Sequence, residues 1–429
     1  MDDLLKSYGE AIDALFARTT GGIKPGLERT EALLAELGSP HRRLSTIHVA
    51  GTNGKGSVVA TCDALLRARG CRVGRYTSPH LIDFRERISV DGKPISEQEV
   101  LEFLQRWIPV AERIGATFFE VTTALAFDWL LKQNVDVAVI ETGLGGRLDS
   151  TNVLKPITSI VTSIGLDHTD LLGRTLEAIA REKAGIFKPG IPAVIGEPAA
   201  IIRDLLTEEA RQTGADPVLV LDNAYAIDDI RVSGDGTSFI LGSEVESSRI
   251  TTRLIGRHQA RNAAIAIAAL TQLGSDYLPP TPEITAALSK VSLPGRFQRV
   301  GKFIFDVAHN PAGAHAVAET LADIDAPRPR TALLAVLSDK DWRGIIRELS
   351  SAVDRFVFTE APSAPADRRW SPSDARAFAD SLGLNSELEP KLDRALELAG
   401  QRSETVVVTG SFHTVGDVMS RLQVSPFGG

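Results

Sequence analysis

Gly51-Thr52-Asn53-Gly54-Lys55-Gly56-Ser57 follows the apolar run Ile47 to Ala50 and precedes Val58-Val59-Ala60. The pattern predicts a short strand, a glycine-rich turn and the opening of a helix. Glycines let backbone N–H groups approach a phosphate, Lys55 adds a point positive charge, and the helix N-terminus adds its dipole. The usual nucleotide signature has Ser or Thr directly after the lysine, whereas Gly56 intervenes here. An ordinary strand-to-helix turn explains the glycines alone, not the lysine and hydroxyl with them.

On both sides of this loop, apolar runs alternate with helical periods. Amphipathic helices are expected over Glu10 to Ala17 and Glu28 to Leu37, and strands over Val73 to Tyr76, Val135 to Ile140, Ile157 to Ile164 and Ala193 to Ile195. A helix is expected from Thr175 to Phe187, stopped by Lys188-Pro189-Gly190. Such alternation is the mark of a largely parallel sheet covered by helices. From Leu219 to Ile255 the pattern turns to short interrupted runs, read as a small antiparallel insertion, followed by a helix over Gln259 to Leu273. Leu293-Pro294-Gly295-Arg296 is the expected hinge. A second set of strands follows at Phe303 to Val307, Leu333 to Leu337, Phe356 to Thr359 and Val406 to Thr409, as in a small doubly wound domain. Pro362 to Asp374 reads as an exposed loop.

The length of 429 residues calls for about two domains. A net charge of −8 argues against general affinity for nucleic acid or anionic membrane, so an anionic substrate must meet locally placed cations. Cys62 and Cys71 are the only cysteines, which fits a reducing compartment and argues against a structural disulfide or a zinc site. The start Met1-Asp2-Asp3 has no secretory character, and no run reaches the ~20 apolar residues of a membrane span. A cytoplasmic protein is expected.

Polar clusters stand after several of these strands, where open α/β sheets collect ligands. They are Thr77-Ser78-Pro79-His80-Leu81 with Phe84 to Ile88, Glu141 to Asn152, Gly165-Leu166-Asp167-His168, and Asp306 to Pro311. Taken singly, each has the composition of a turn. Together, Ser78, Glu141 and His168 offer a hydroxyl, a carboxylate and an imidazole, ligands that a divalent cation on a triphosphate can use.

These segments resemble the folylpolyglutamate synthase/dihydrofolate synthase family, which belongs with the Mur-type amino-acid ligases. The resemblance spans nearly the whole chain: Gly51 to Ser57, Thr77 to Leu81, Glu141 to Asn152, Asp167-His168, Gly256 to Asn262, Pro294 to Phe297, Asp306 to Pro311, Leu337 to Asp341 and Gly410 to His413. The extra Gly56 is itself a family feature. The resemblance implies a P-loop NTPase-like domain over residues 1–293, with a mostly parallel sheet and the antiparallel insertion, and a smaller Rossmann-like α/β domain over 297–429. It implies a ligase that uses ATP and two magnesium ions to add L-glutamate to dihydropteroate and to reduced folates, through an acyl phosphate, as a monomer.

Carried over by position, Thr52, Asn53, Gly54, Lys55, Gly56 and Ser57 would wrap the nucleotide phosphates. Asn262, Arg296 and Asp306 would contact ATP across the cleft, with His309 near the γ-phosphate. Ser78 and Glu141 would hold one magnesium ion and His168 a second. Lys183 matches a lysine carbamylated in relatives; an exposed helix lysine is the plain alternative. Ser78, Pro79, His80, Arg85 and Arg147 would serve the pteroate substrate. Two other classes compete. A cell-wall Mur ligase would carry a dedicated N-terminal UDP-binding domain, for which the stretch ahead of the loop is short. A non-catalytic nucleotide binder would have no use for Glu141, His168, Lys183 and Asp306 together.

Overall fold

A computed structural model describes residues 5–19, 25–244 and 246–427. Eight strands build the first sheet: β1 (Thr46–Ala50), β2 (Val73–Tyr76), β3 (Ile88–Val90), β4 (Lys93–Pro94), β5 (Val137–Glu141), β6 (Thr158–Val161), β7 (Ala193–Ile195) and β8 (Val218–Val220). Their order is β4-β3-β2-β5-β1-β6-β7-β8, parallel except where β3 pairs with β2 and β4. β1 lies between β5 and β6, and the order reverses there. A ligand crevice opens at such a switch point, beyond the carboxyl ends of the strands. The glycine-rich loop follows β1.

Central strands buried on both faces read as apolar runs. β1 and β5 are buried throughout. On one face pack helix α1 (Lys55–Ala68) and the long Ala/Ile helix Arg257–Leu273, both contributing to one apolar core. The other face is covered by Tyr8–Phe16, Glu28–Glu36, Glu97–Ile114 and Phe118–Lys132. The last two start at capping boxes, Ser96 with Glu99 and Thr117 with Glu120, each satisfying two orphan N–H groups.

A three-stranded antiparallel sheet, β9 (Ala226–Ser233), β10 (Gly236–Gly242) and β11 (Ser247–Thr252), is the insertion. It begins later than expected, because Val218–Val220 pairs in parallel with β7 and closes the large sheet. The second sheet has β12 (Gln298–Val300), β13 (Phe303–Phe305), β14 (Arg330–Leu334), β15 (Arg355–Phe358), β16 (Ser386–Leu388) and β17 (Thr405–Thr409). Its order is β12-β13-β17-β14-β15-β16, parallel apart from the hairpin β12/β13.

Four expected boundaries shift. β5 takes in Glu141, and β6 is shorter than Ile157 to Ile164. β14 starts at Arg330, ahead of the Leu333 to Leu337 run, whose last three residues are buried beyond the ladder. Pro362 to Asp374 is not simply exposed: Ala364 and Trp370 are buried, and Ser371 caps a helix that starts at Pro372. No described helix is long and apolar enough to cross a membrane.

Candidate active site

The turn after β1 can be made only with glycine at two points. Gly51 has φ +153 and Gly54 φ +85; added Cβ atoms would lie 1.8 Å from Thr162 Oγ1 and 2.5 Å from Asn262 Oδ1. The end of β6 pins the turn. Thr162 Oγ1 donates to Asn53 O at 2.6 Å, and the Thr52 amide donates to Ser163 O at 2.6 Å. α1 then starts at Lys55, and Ser57 sits buried in its first turn. Lys55 Nζ donates to the carbonyls of Gly51 and Thr52 at 3.1 and 3.3 Å. At Gly56 an added Cβ would meet only Leu293 and Glu141 side-chain atoms, at 3.7 Å or more.

Glu141 closes β5 beneath this turn. It is 4% exposed, Oε1 lies 3.8 Å from Lys55 Nζ, and Oε2 accepts from the Ser78 amide at 3.4 Å. Burial pushes its carboxyl up, against the pull of Lys55 and Arg296. His168 adopts φ +50 and lies within electrostatic reach of Lys55; burial lowers its imidazole to about 4, against the pull of Asp167. Glu141 thus links Lys55 with the Ser78 amide, while the ring of His168 contacts Lys340 at 3.3 Å and Asp167 at 3.7 Å. No described group of three or more His, Cys, Asp or Glu side chains forms a metal cage. One carboxylate with a hydroxyl fits a hard ion such as magnesium, which takes its other ligands from phosphate and water.

Lys183 is buried rather than exposed. It stands on helix α2 (Leu176–Ala184), is 5% exposed, and donates from Nζ to Gly51 O at 2.8 Å. Burial, helped by Lys55, lowers its amine to about 7. The Gly145-Gly146-Arg147 loop docks on α2, where a Cβ at Gly146 would fall 2.8 Å from Lys183 O. Asp149 holds the following turn, accepting from the Leu144 amide at 2.7 Å and the Thr151 amide at 3.0 Å.

The second sheet supplies the opposite wall. Asn310 Nδ2 donates to Asn53 Oδ1 at 3.1 Å, and Asn310 also caps helix α3 (Pro311–Asp323). Asp167 Oδ2 faces His309 Nε2 at 3.2 Å, and its Oδ1 accepts from Lys340 Nζ. Burial opposes ionisation of Asp167. The hydrogen bond from His309 and the charges of His309, Lys340 and His168 outweigh it and hold the carboxyl far below the usual range. Asp306, raised by burial, accepts from the Phe297 and Ala308 amides at 2.8 and 2.9 Å. Arg296 lies over the Phe412 ring at 5.4 Å, and Asn262 Nδ2 donates to Gln259 Oε1 at 3.0 Å.

Residues 49–270 match the Mur ligase middle domain, and residues 295–412 match the Mur ligase glutamate ligase domain. A Bacillus subtilis (strain 168) protein named dihydrofolate synthase/folylpolyglutamate synthase is 35% identical over 435 residues, spanning 98% of this chain and 100% of its own. The chain belongs to the dihydrofolate synthase/folylpolyglutamate synthase family. The solved structure of Escherichia coli FolC in complex with DHPP and ADP covers 99% of each chain at 31% identity, with a TM-score of 0.86. A bifunctional folylpolyglutamate synthase/dihydrofolate synthase solved with Mn, AMPPNP and L-glutamate bound covers 97% of this chain and 98% of its own, at 33% identity and a TM-score of 0.82.

In this member of the family the loop after β2 bridges the two sheets. Leu81 packs against the core of the second sheet, and a Cβ at Gly416 would lie 2.1 Å from the Leu81 carbonyl oxygen. His80 Nδ1 accepts from Arg87 Nε at 2.7 Å, and burial with Arg87 lowers the His80 imidazole to about 3. The His80 ring stands edge-on to Phe16 and Phe84, at 6.0 and 6.2 Å. The two arginines expected to meet substrate are satisfied within the protein. Arg85 pairs with Asp83 at 2.6 Å and Glu97 at 3.4 Å, and Arg147 pairs with Glu182 at 2.8 Å. Each is matched because an acid stands beside it in the fold. Arg87, Asp167, Lys340 and Asn310 lie in segments that the sequence marked, but the contacts they make were not among the expected roles.

Proposed function

We propose that the chain is an ATP-dependent acid–amino-acid ligase that adds L-glutamate to dihydropteroate and to reduced folates through an acyl phosphate. The observation that carries this reading is the convergence on Lys55: Glu141 at 3.8 Å, the Ser78 amide on Glu141, and Lys183 on the same Gly51 carbonyl. On this reading residues 1–293 and 297–429 are two bodies hinged at Pro294-Gly295, a division supported by the Asn310–Asn53 and His309–Asp167 contacts between them beside the glycine-rich loop.

Thr52 to Ser57 present backbone N–H groups and the α1 dipole to the phosphates, with Lys55 at the transferring end. Asn262, Arg296 and Asp306 contact the nucleotide, and His309 stands near its γ-phosphate. Ser78 and Glu141 would hold one divalent ion and His168 a second; when bound, these ions neutralise charge on the triphosphate. The Lys183 amine, neutral in part near pH 7, is nucleophilic enough to take up carbon dioxide and become an anionic group by the metal site. Ser78, Pro79 and His80 face the pteroate.

A substrate carboxylate oxygen attacks the γ-phosphorus, and the bond to ADP breaks. The glutamate amine then attacks the acyl carbon, phosphate leaves, and the amine sheds its proton. Positioning and charge neutralisation supply most of the acceleration. Closure of the second body keeps water from the acyl phosphate. Every group named comes from one chain, so a monomer suffices. Cys62 and Cys71 are both free, in keeping with the cytoplasm.

Product masses test the reading. With magnesium, ATP, L-glutamate and either dihydropteroate or tetrahydrofolate, each acceptor should gain one glutamyl residue per ADP and phosphate released. ATP cleavage independent of acceptor, or release of AMP, would overturn it.

A further inference from the structure

Arg87 is a buried cation without an anion. It ends the short turn of helix Phe84–Arg87, is 6% exposed, and spends its Nε on His80 Nδ1 at 2.7 Å. Its guanidinium lies over the Phe118 ring at 5.2 Å. No described acidic side chain forms an ion pair with it, and its two terminal nitrogens have no protein acceptor among the described residues. The neighbouring acid, Glu86, is used up by the amides of Leu81, Ile82 and Asp83 at 2.8, 2.7 and 2.6 Å. An arginine stays charged when buried, so this fork is left for an anion from outside.

We infer that Arg87 binds the α-carboxylate of the terminal glutamyl residue on a folate acceptor, and so sets the preference between folates and dihydropteroate. The inference rests on the ligase reading above. Arg87 lies on the loop that carries Ser78 and His80 and within electrostatic reach of Glu141, so its anion belongs to the acceptor near the reaction centre. The reacting γ-carboxylate is a poor candidate, because a guanidinium fork would tie up the oxygen that must attack phosphorus. A pteroylglutamate offers a second carboxylate on the same residue, two methylenes away. Dihydropteroate has none there.

The test compares KM for three acceptors at saturating ATP and L-glutamate: tetrahydrofolate, its α-carboxamide and dihydropteroate. For the wild type, the α-carboxamide should raise KM roughly 10- to 100-fold over tetrahydrofolate, as expected for loss of a charge-assisted bond. Arg87→Gln, which also frees His80, should raise KM for tetrahydrofolate about 10-fold more than it raises KM for dihydropteroate, and abolish the difference made by the carboxamide. Arg87→Lys should recover part of the loss. Equal losses on tetrahydrofolate and dihydropteroate, or a raised KM for L-glutamate, would give Arg87 another role and overturn the inference. The wild-type carboxamide comparison needs no variant, and an unchanged KM there overturns it alone. Wild-type inactivity on every acceptor would instead sink the ligase reading.

Discussion

Asp167 and His309 stand 142 residues apart in the chain, yet Asp167 Oδ2 lies 3.2 Å from His309 Nε2 across the cleft between the two sheets. His309 Nδ1 is 2.9 Å from the Val307 carbonyl oxygen, so both ring nitrogens face acceptors. Lys340 reaches the same carboxylate and is 6% exposed at its side chain. One carboxylate of the first body thus gathers a lysine and a histidine from the second, beside the glycine-rich loop.

Asp167→Asn should therefore loosen the two bodies. It leaves the buried Lys340 ammonium facing a neutral amide, and removing one partner of a buried pair costs about 3–5 kcal/mol. Small-angle scattering of the unliganded variant should show a larger radius of gyration than the wild type. The wild-type contact should hold through neutral and mildly acidic pH. A carboxyl depressed below 3.8 contributes fully above that value and is lost only as pH falls through its lower folded value.

Lys183 gives a pH dependence of the same sign in a higher window. Its amine is lowered from 10.5 to about 7, so the unfolded chain binds more protons between those values. The penalty of burying the ammonium is full below about 7 and disappears as pH rises to 10.5. Its upper bound is about 5 kcal/mol. Measured in bicarbonate-free buffer by urea unfolding, the stability of wild type relative to Lys183→Met should rise through this range.

Lys55→Met should leave the fold intact: its Nζ hydrogen-bonds only the carbonyls of its own turn at 3.1 and 3.3 Å, and Glu141, 3.8 Å away, is already pushed toward its neutral form by burial. Loss of a preorganised positive charge at the transferring phosphate should lower kcat by at least about 100-fold. Thermal unfolding and single-turnover kinetics on the same preparation separate these effects.

Gly54→Ala should be worse than its size suggests. The new methyl would be 2.5 Å from Asn262 Oδ1 at a backbone φ of +85, a left-handed conformation that costs about 1–3 kcal/mol for other residues. Nucleotide affinity, read by titration calorimetry, should fall together with the unfolding midpoint.

Gly416→Ala tests the seat of the acceptor loop. The methyl would strike the Leu81 carbonyl oxygen at 2.1 Å and push that loop from the second sheet. KM for the acceptor should rise while KM for L-glutamate and the affinity for ADP stay near wild type.

The legible parts were those written in local chemistry. The glycine turn after β1 and the switch to an antiparallel insertion leave marks within a few residues; the turn stands where expected, and the insertion starts at Ala226 rather than Leu219. Strand ends were less legible, since apolar runs such as Ala335 to Leu337 stay buried beyond the last ladder bond. The partners of charged residues were not legible at all. Arg85 and Arg87 are two residues apart with the same side chain, and only the fold decides that Asp83 and Glu97 meet the first while no acid meets the second. Lys183 could not be told from a surface lysine until α2 packed it beneath the turn.

The passage of a carboxylate oxygen to phosphate decides whether this cleft makes an acyl phosphate. Dihydropteroate labelled with oxygen-18 in its carboxylate, turned over with magnesium, ATP and L-glutamate, should deliver one labelled oxygen into each inorganic phosphate formed. Unlabelled phosphate alongside a glutamylated product would contradict the mechanism.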